Sequence, residues 1–339
     1  MKLVSFHLIT NFFLFFFKKL NHKLYLIVIT ILNVIIMIWV TGDVDGKKYK
    51  EPFSKGIMSR SLNVADIGVE RAHDIASDIE AYLIKNNITE ISSEDLADVV
   101  LDYLKQVDDK IAIKYKNWRF LRTSKKPLII LIGGASGVGT SSMAFELANR
   151  LRLKNLISTD MIREVMRKIL SKDLSPVIHK SSFEAYESIR TPSIRIDSLI
   201  EGFISQIDVV NVGVEAIIER SVKEGISTII EGVHIVPGFI RKELLENNNI
   251  IIFTLTVEDD ETHKQRFYSR CRQPWVKRSL ERYMDNFDSI RKIQLFIEEQ
   301  AKIHDARIIN NVDFNETIDI MVSDILDNFG GVDDKENEN

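Results

Sequence analysis

From Pro127 onward, short unbroken apolar runs alternate with longer stretches in which apolar residues recur every third or fourth position. The runs LIILIG (128–133), NLIST (155–159), STIIE (227–231), IIIFTLT (250–256) and ARII (306–309) predict strands, and the stretches between them carry a helical period. Strand and helix in regular alternation predict an α/β fold: a doubly wound parallel sheet with helices on both faces. Ligands of such sheets bind beyond the carboxyl ends of the strands, so the residues that close each run carry the functional expectation.

The region before Pro127 is patterned differently. MIWVTGDVDGKKY, beginning at Met37, predicts two short strands around a Gly-Asp turn region. EPFSKGIMSRSL follows, then helical periods in GVERAHDIASDIEAYLIKN (68–86) and SSEDLADVVLDYLKQ (92–106). Ser92 or Ser93 serves as N-cap of the second helix, with acids in its first turn. Residues 37–107 thus form a small α+β unit. The charged and aromatic stretch 108–126 reads as a linker, 127–328 as the α/β unit, and the acidic tail 329–339 as disordered.

The first 36 residues stand apart. FFLFFF (12–17) precedes LYLIVITILNVIIMIWV (24–40), an apolar run at the lower edge of what spans a bilayer, with no small-residue cleavage site after it. If Ile38 to Thr41 belong to a strand, too few apolar residues remain to span. The expectation is a functional start at Met37, with 1–36 as translated upstream sequence. A membrane anchor is the alternative.

Composition narrows the class. An apolar fraction of 45% and a charged fraction of 28% are those of a globular protein. A net charge of -4 gives no electrostatic case for nucleic acid. The single cysteine, Cys271, forms no internal disulfide and suits a reducing cytoplasm.

The chemistry begins where the first long run ends. Gly134 to Ser141 read G-A-S-G-V-G-T-S, a strand-to-helix turn matching the phosphate-binding pattern G-x-x-x-x-G-K-[ST] except that Thr140 replaces the lysine. Gly134, Gly137 and Gly139 allow a tight turn whose amides, with those of Ser136, Val138, Thr140 and Ser141, cradle a phosphate. The helix from Thr140 adds its dipole, and Ser141 stands where a hydroxyl ligates Mg²⁺. The spacing does not give the dinucleotide pattern; a packing turn is the other alternative.

Asp160 closes the second strand and is the candidate to orient an acceptor hydroxyl. Thr159 and Asp160 also fit a helix N-cap. Arg163 and Arg167, four apart, suit an anionic substrate, as do Arg190 and Arg195. Glu231 and His234 follow the third strand, Glu231 as a candidate for the Mg²⁺ shell and His234 for substrate. Its alternatives are a cap or salt-bridge role for Glu231. Arg266, Arg270, Arg272, Lys277, Arg278 and Arg282 crowd one segment, as a mobile lid over phosphates requires. Arg266 and Arg270, one turn apart, are expected to supply the charge that Thr140 lacks; a solvated helix face is the alternative.

Two resemblances follow from these motifs. The hairpin, Pro52-Phe53-Ser54-Lys55-Gly56, Arg60-Ser61-Leu62 and the helix near Gly68 resemble the ATP-cone, a domain that binds adenine nucleotides for regulation. That resemblance implies nucleotide contacts at Lys47, Lys48, Lys55 and Arg60, where the residues alone read as a solvated basic face. An ATP-cone ahead of GGASGVGTS, STDMIREVMR and TIIEGVHIVPG resembles the archaeal 2-phosphoglycerate kinases over residues 37 to 328. It implies a P-loop kinase that takes ATP and Mg²⁺ and phosphorylates 2-phosphoglycerate to 2,3-bisphosphoglycerate, for cyclic 2,3-diphosphoglycerate synthesis. The alternatives are a non-catalytic ATP sensor and a P-loop kinase for another small acid.

Overall fold

A computed structural model of the chain describes residues 37–44, 46–63, 67–124, 126–246, 249–272 and 279–330. The expectations for 1–36, for Lys277 and Arg278, and for the tail 331–339 lie outside the described residues. The chain divides into two units, Met1–Lys116 and Asn117–Asn339. Among the described residues no helix is long and apolar enough to cross a membrane.

In the first unit, β1 (Trp39–Val44) and β2 (Lys47–Pro52) form the expected antiparallel hairpin. The turn is not at Gly42-Asp43, which lie within β1. It includes Gly46, which takes a φ of 77° and whose amide donates to Asp43 Oδ1 at 2.8 Å. Helices α1 (Lys55–Asn63), α2 (Val69–Lys85) and α3 (Ser93–Val107) follow. Helix α2 buries Ala72, Ile75, Ala76, Ile79 and Leu83, one stripe of a 3.6-residue period, against Leu62, Val100 and Leu104. Ser92 is the N-cap of α3, its hydroxyl accepting from the Asp95 amide. A third strand, β3 (Glu90–Ser92), pairs parallel with β1. It escapes sequence reading because three residues carry no period.

The stretch expected as a linker contains a helix, α4 (Asp109–Thr123). Its interleaved charges mask the stripe, but Ala112, Tyr115 and Trp118 are buried at helical spacing.

The second unit is built on a five-stranded parallel sheet: β4 (Ile129–Gly133), β5 (Asn155–Ser158), β6 (Thr228–Gly232), β7 (Ile250–Thr256) and β8 (Arg307–Asn310), in the spatial order β5-β6-β4-β7-β8. Each expected strand is found within a residue of its expected ends. Central β4 is buried along its whole length, which requires cover on both sheet faces. The register aligns Gly133 with Gly232, and Ser158 with Glu231. Three strand ends, and the chemistry that follows each, therefore converge at one edge of the sheet. The result is an α/β fold whose central strand ends in the Gly-rich turn.

Candidate active site

The phosphate loop leaves β4 at Gly133 and enters α5 (Thr140–Leu151) through Gly139, a left-handed N-cap with a φ of 100°. A side chain there is excluded twice, by that φ and by Asn311 Nδ2, which would lie 2.7 Å from a Cβ. The loop carbonyls that do not face a ligand are tied down from behind. His263 Nε2 meets Ser136 O at 2.8 Å, and since a carbonyl only accepts, that nitrogen carries the proton. Asn311 Nδ2 and Arg266 Nη1 both donate to Val138 O at 2.7 Å. These ties hold two of the loop's carbonyls in place.

Glu231, at the end of β6, is buried and reaches the first turn of α5. Its carboxylate accepts from Thr140 Oγ1 at 2.8 Å and from Ser141 Oγ at 3.0 Å. Neither a cap nor a salt bridge is its role. Burial raises its pKa and the two hydroxyls lower it, as does the nearby charge of Arg270, while Asp160 raises it. The residue in the lysine's place thus bonds to the acid at the neighbouring strand end.

Helix α6 (Thr159–Ile169) begins one strand over. Its N-cap is Ser158, whose hydroxyl accepts from the Met161 amide at 3.2 Å, so Asp160 is not spent on capping. Asp160 Oδ1 lies 3.2 Å from Arg163 Nη2. Arg163 Nη1 donates to Lys180 O at 3.0 Å, and Arg167 Nη1 donates to Glu164 at 2.8 Å. A carboxylate and two guanidinium groups therefore lie along the helix that leaves β5, the strand beside the one that carries Glu231 and two strands from the phosphate loop's β4.

Comparison with known proteins bears on what this arrangement serves. Residues 44–124 match the ATP cone domain family, a span that takes in α4. The 2-phosphoglycerate kinase of Methanothermobacter thermautotrophicus is 53% identical over 85% of this chain and 95% of its own length. Those of Methanopyrus kandleri and Methanocaldococcus jannaschii are each 43% identical, over 83% and 81% of this chain and 85% and 88% of their own. The chain belongs to the 2-phosphoglycerate kinase family. Among solved structures, a shikimate kinase from Acinetobacter baumannii in complex with shikimate aligns at 16% identity over 62% of this chain and 94% of that one, with a TM-score of 0.36.

In this family member several expected contacts differ. His234 does not face substrate. It is fully buried, with Nδ1 on Thr159 Oγ1 and Nε2 on Gln206 Oε1, each at 2.9 Å, and its pKa is pushed down to about 3 by burial and then by Arg163. A neutral ring with both nitrogens occupied cannot receive an anion. Arg266 is no mobile lid residue. It sits in α9 (Asp260–Cys271), which follows the short α8 (Lys242–Leu245), half-buried, bonded to Val138 O and Asn311 O, and burial pushes its pKa down. Arg282 is spent on Glu184 and Ser181. Arg190 and Arg195 lie exposed between a 3-10 turn (Ser182–Ser188) and helix α7 (Ser198–Glu224), and no bond brings them to the strand ends. Of the arginine cluster, Arg270 is the member whose charge is felt at Glu231.

In the first unit, Lys47 and Lys48 are exposed on β2, Lys55 pairs with Glu80 at 2.9 Å, and Arg60 Nε donates to Gly56 O at 3.0 Å. His263, Asn311 and Gln206 were missing from the sequence reading, and Thr159 entered it only as a cap. Each acts through burial and a long-range bond, neither of which leaves a local pattern.

Proposed function

We propose that the protein transfers the γ-phosphoryl group of ATP to the free hydroxyl of 2-phosphoglycerate, giving 2,3-bisphosphoglycerate and ADP. The observation that carries this reading is Glu231 held between the Thr140 and Ser141 hydroxyls, at the strand end beside the one that bears Asp160 and Arg163. The acceptor oxygen attacks the γ-phosphorus as the bond to the β-bridging oxygen breaks, and the hydroxyl proton passes to Asp160. Phosphoryl transfer asks the protein mainly for position and charge, so Asp160 orients the hydroxyl and need not be a strong base. Arg163 and Arg167 receive the acceptor's carboxylate and phosphate.

The oxygens of Ser141 and Glu231 fit Mg²⁺, a hard cation that takes one or two protein oxygens and keeps water and phosphate for the rest. No group of three or more metal-binding side chains is present among the described residues, as that mode of binding allows. Bound Mg²⁺ would neutralise charge on the transferring phosphates. The loop amides and Arg270 supply the charge that a lysine at Thr140 would have given. The ATP-cone binds a regulatory adenine nucleotide through Lys47, Lys48, Lys55 and Arg60.

Release of ADP tests the assignment when ATP, Mg²⁺ and one acceptor at a time are supplied. 2-Phosphoglycerate is expected to raise the rate at least tenfold above 3-phosphoglycerate, glycerate or no acceptor. A larger response to another small acid would overturn the substrate assignment.

A further inference from the structure

His234 is absorbed by none of these roles, yet it is fully buried with both ring nitrogens hydrogen-bonded. Its partners decide its tautomer. Gln206 Nε2 donates to Val177 O at 2.6 Å and to Lys180 O at 3.1 Å. Both are carbonyls, so the amide nitrogen of Gln206 faces them and Oε1 faces His234. Nε2 of His234 therefore donates to Gln206, and Nδ1 accepts the hydroxyl hydrogen of Thr159. Thr159, Gln206 and His234 are all fully buried.

The bonds continue on both sides. Lys180 O, fixed by Gln206, also accepts from Arg163 Nη1, using the second lone pair. Arg163 Nη2 holds Asp160 Oδ1. Asp160 is joined by a peptide bond to Thr159, which returns to His234. The path from His234 through Gln206, Lys180 O, Arg163, Asp160 and Thr159 is a closed ring. It grips Asp160 twice, by its backbone through Thr159 and by its carboxylate through Arg163. Gly232 gives the ring its room, since a Cβ there would sit 2.0 Å from Thr159 Oγ1.

We infer that His234 is a positioning residue that closes a buried hydrogen-bonded ring and thereby sets Asp160 and Arg163 for the acceptor. It touches neither substrate nor metal. A leucine in its place would leave the Thr159 hydroxyl and the Gln206 carbonyl without partners, and the groups they hold would drift. The ring does not open with pH in the working range, because His234 stays neutral far below neutrality. The inference rests on the assignment of Asp160 and Arg163 to the acceptor side.

The test is a comparison of KM values in the full-length enzyme. His234→Leu is expected to raise the acceptor KM on the order of tenfold or more, with the ATP KM within twofold, since only the acceptor side is displaced. His234→Gln, which can both accept from Thr159 and donate to Gln206, is expected within threefold of wild type for both substrates. The pair His234→Leu with Arg163→Ala is expected to raise the acceptor KM by less than the product of the two single effects, because part of the ring's hold passes through that arginine. If His234→Leu does not fold, Gln206→Met cuts the same ring and carries the same comparison. ATP and acceptor KM values that rise together, a His234→Gln enzyme as impaired as the leucine variant, or additive effects with Arg163→Ala would each overturn the inference. Absence of turnover on 2-phosphoglycerate by wild type would overturn the substrate assignment instead, and the comparison would then be made with whichever acceptor supports turnover.

Discussion

Glu231 is held in the fold at a cost to stability at neutral pH. It is a carboxylate almost without solvent, and no cation pairs with it directly. Its folded-state pKa is raised, so the folded state holds its proton more tightly than the unfolded chain does. The stability linked to that proton is complete below the ordinary glutamate value and is lost as pH rises through the raised one. At neutral pH, Glu231→Gln removes the buried charge and keeps an acceptor for the two hydroxyls. Its Tm without nucleotide is expected to equal or exceed that of wild type at pH 7, with the gap closing toward pH 4. Its kcat is expected to fall on the order of 10²-fold or more. Thermal melts and initial rates on the same preparation check both; a less stable variant with intact kcat would remove Glu231 from the catalytic charge. Glu231 and Asp160 were legible because they close apolar runs, and strand ends are where this sheet type works. His234 was not, because Glu231-Gly232-Val233-His234 gives no sign that the histidine turns inward. The sequence offered Thr159 and Asp160 as caps, and the bond from the Met161 amide gives that role to Ser158 instead.

Among the elements, α9 matters most to the loop. The arginine-rich sequence suggested one mobile cationic lid, but α9 presents its arginines for two purposes. Arg266 faces the back of the loop and bonds to two carbonyls, while Arg270, a turn later, lends its charge to the neighbourhood of Glu231. Alanine at each should therefore separate. Arg266→Ala is expected to lower Tm and to raise the KM for ATP several-fold, because two buried carbonyls lose a charged donor. Arg270→Ala is expected to leave Tm unchanged and to lower kcat, toward the 10³-fold or greater effect of arginines donated to phosphoryl transfer. The reverse pattern, or equal effects on both constants, would refute this division. Helical spacing placed both arginines on one face but could not tell which bonded inward. The same limit explains α4 and β3: one hides a stripe among charges, and the other is too short for a period to show.

At the scale of the molecule, the order of units was legible early: an α+β unit ahead of a parallel sheet, each with its own buried core. The chain order of the five strands and the position of the Gly-rich turn after β4 pointed to the strand ends as the candidate site before any side chain was considered. What stayed hidden was how the loop functions with Thr140 in place of lysine. The account answers that the loop is catalytic, with amides, Glu231 and a nearby arginine sharing the work. The most direct measurement supplies the full chain with Mg²⁺, 2-phosphoglycerate and ATP labelled at the γ-phosphate, and follows the label. It is predicted to appear in a bisphosphorylated three-carbon product in step with ADP, and not in Glu231→Gln. Tight ATP binding with no acceptor-dependent transfer of label would contradict the account and make the chain a nucleotide sensor.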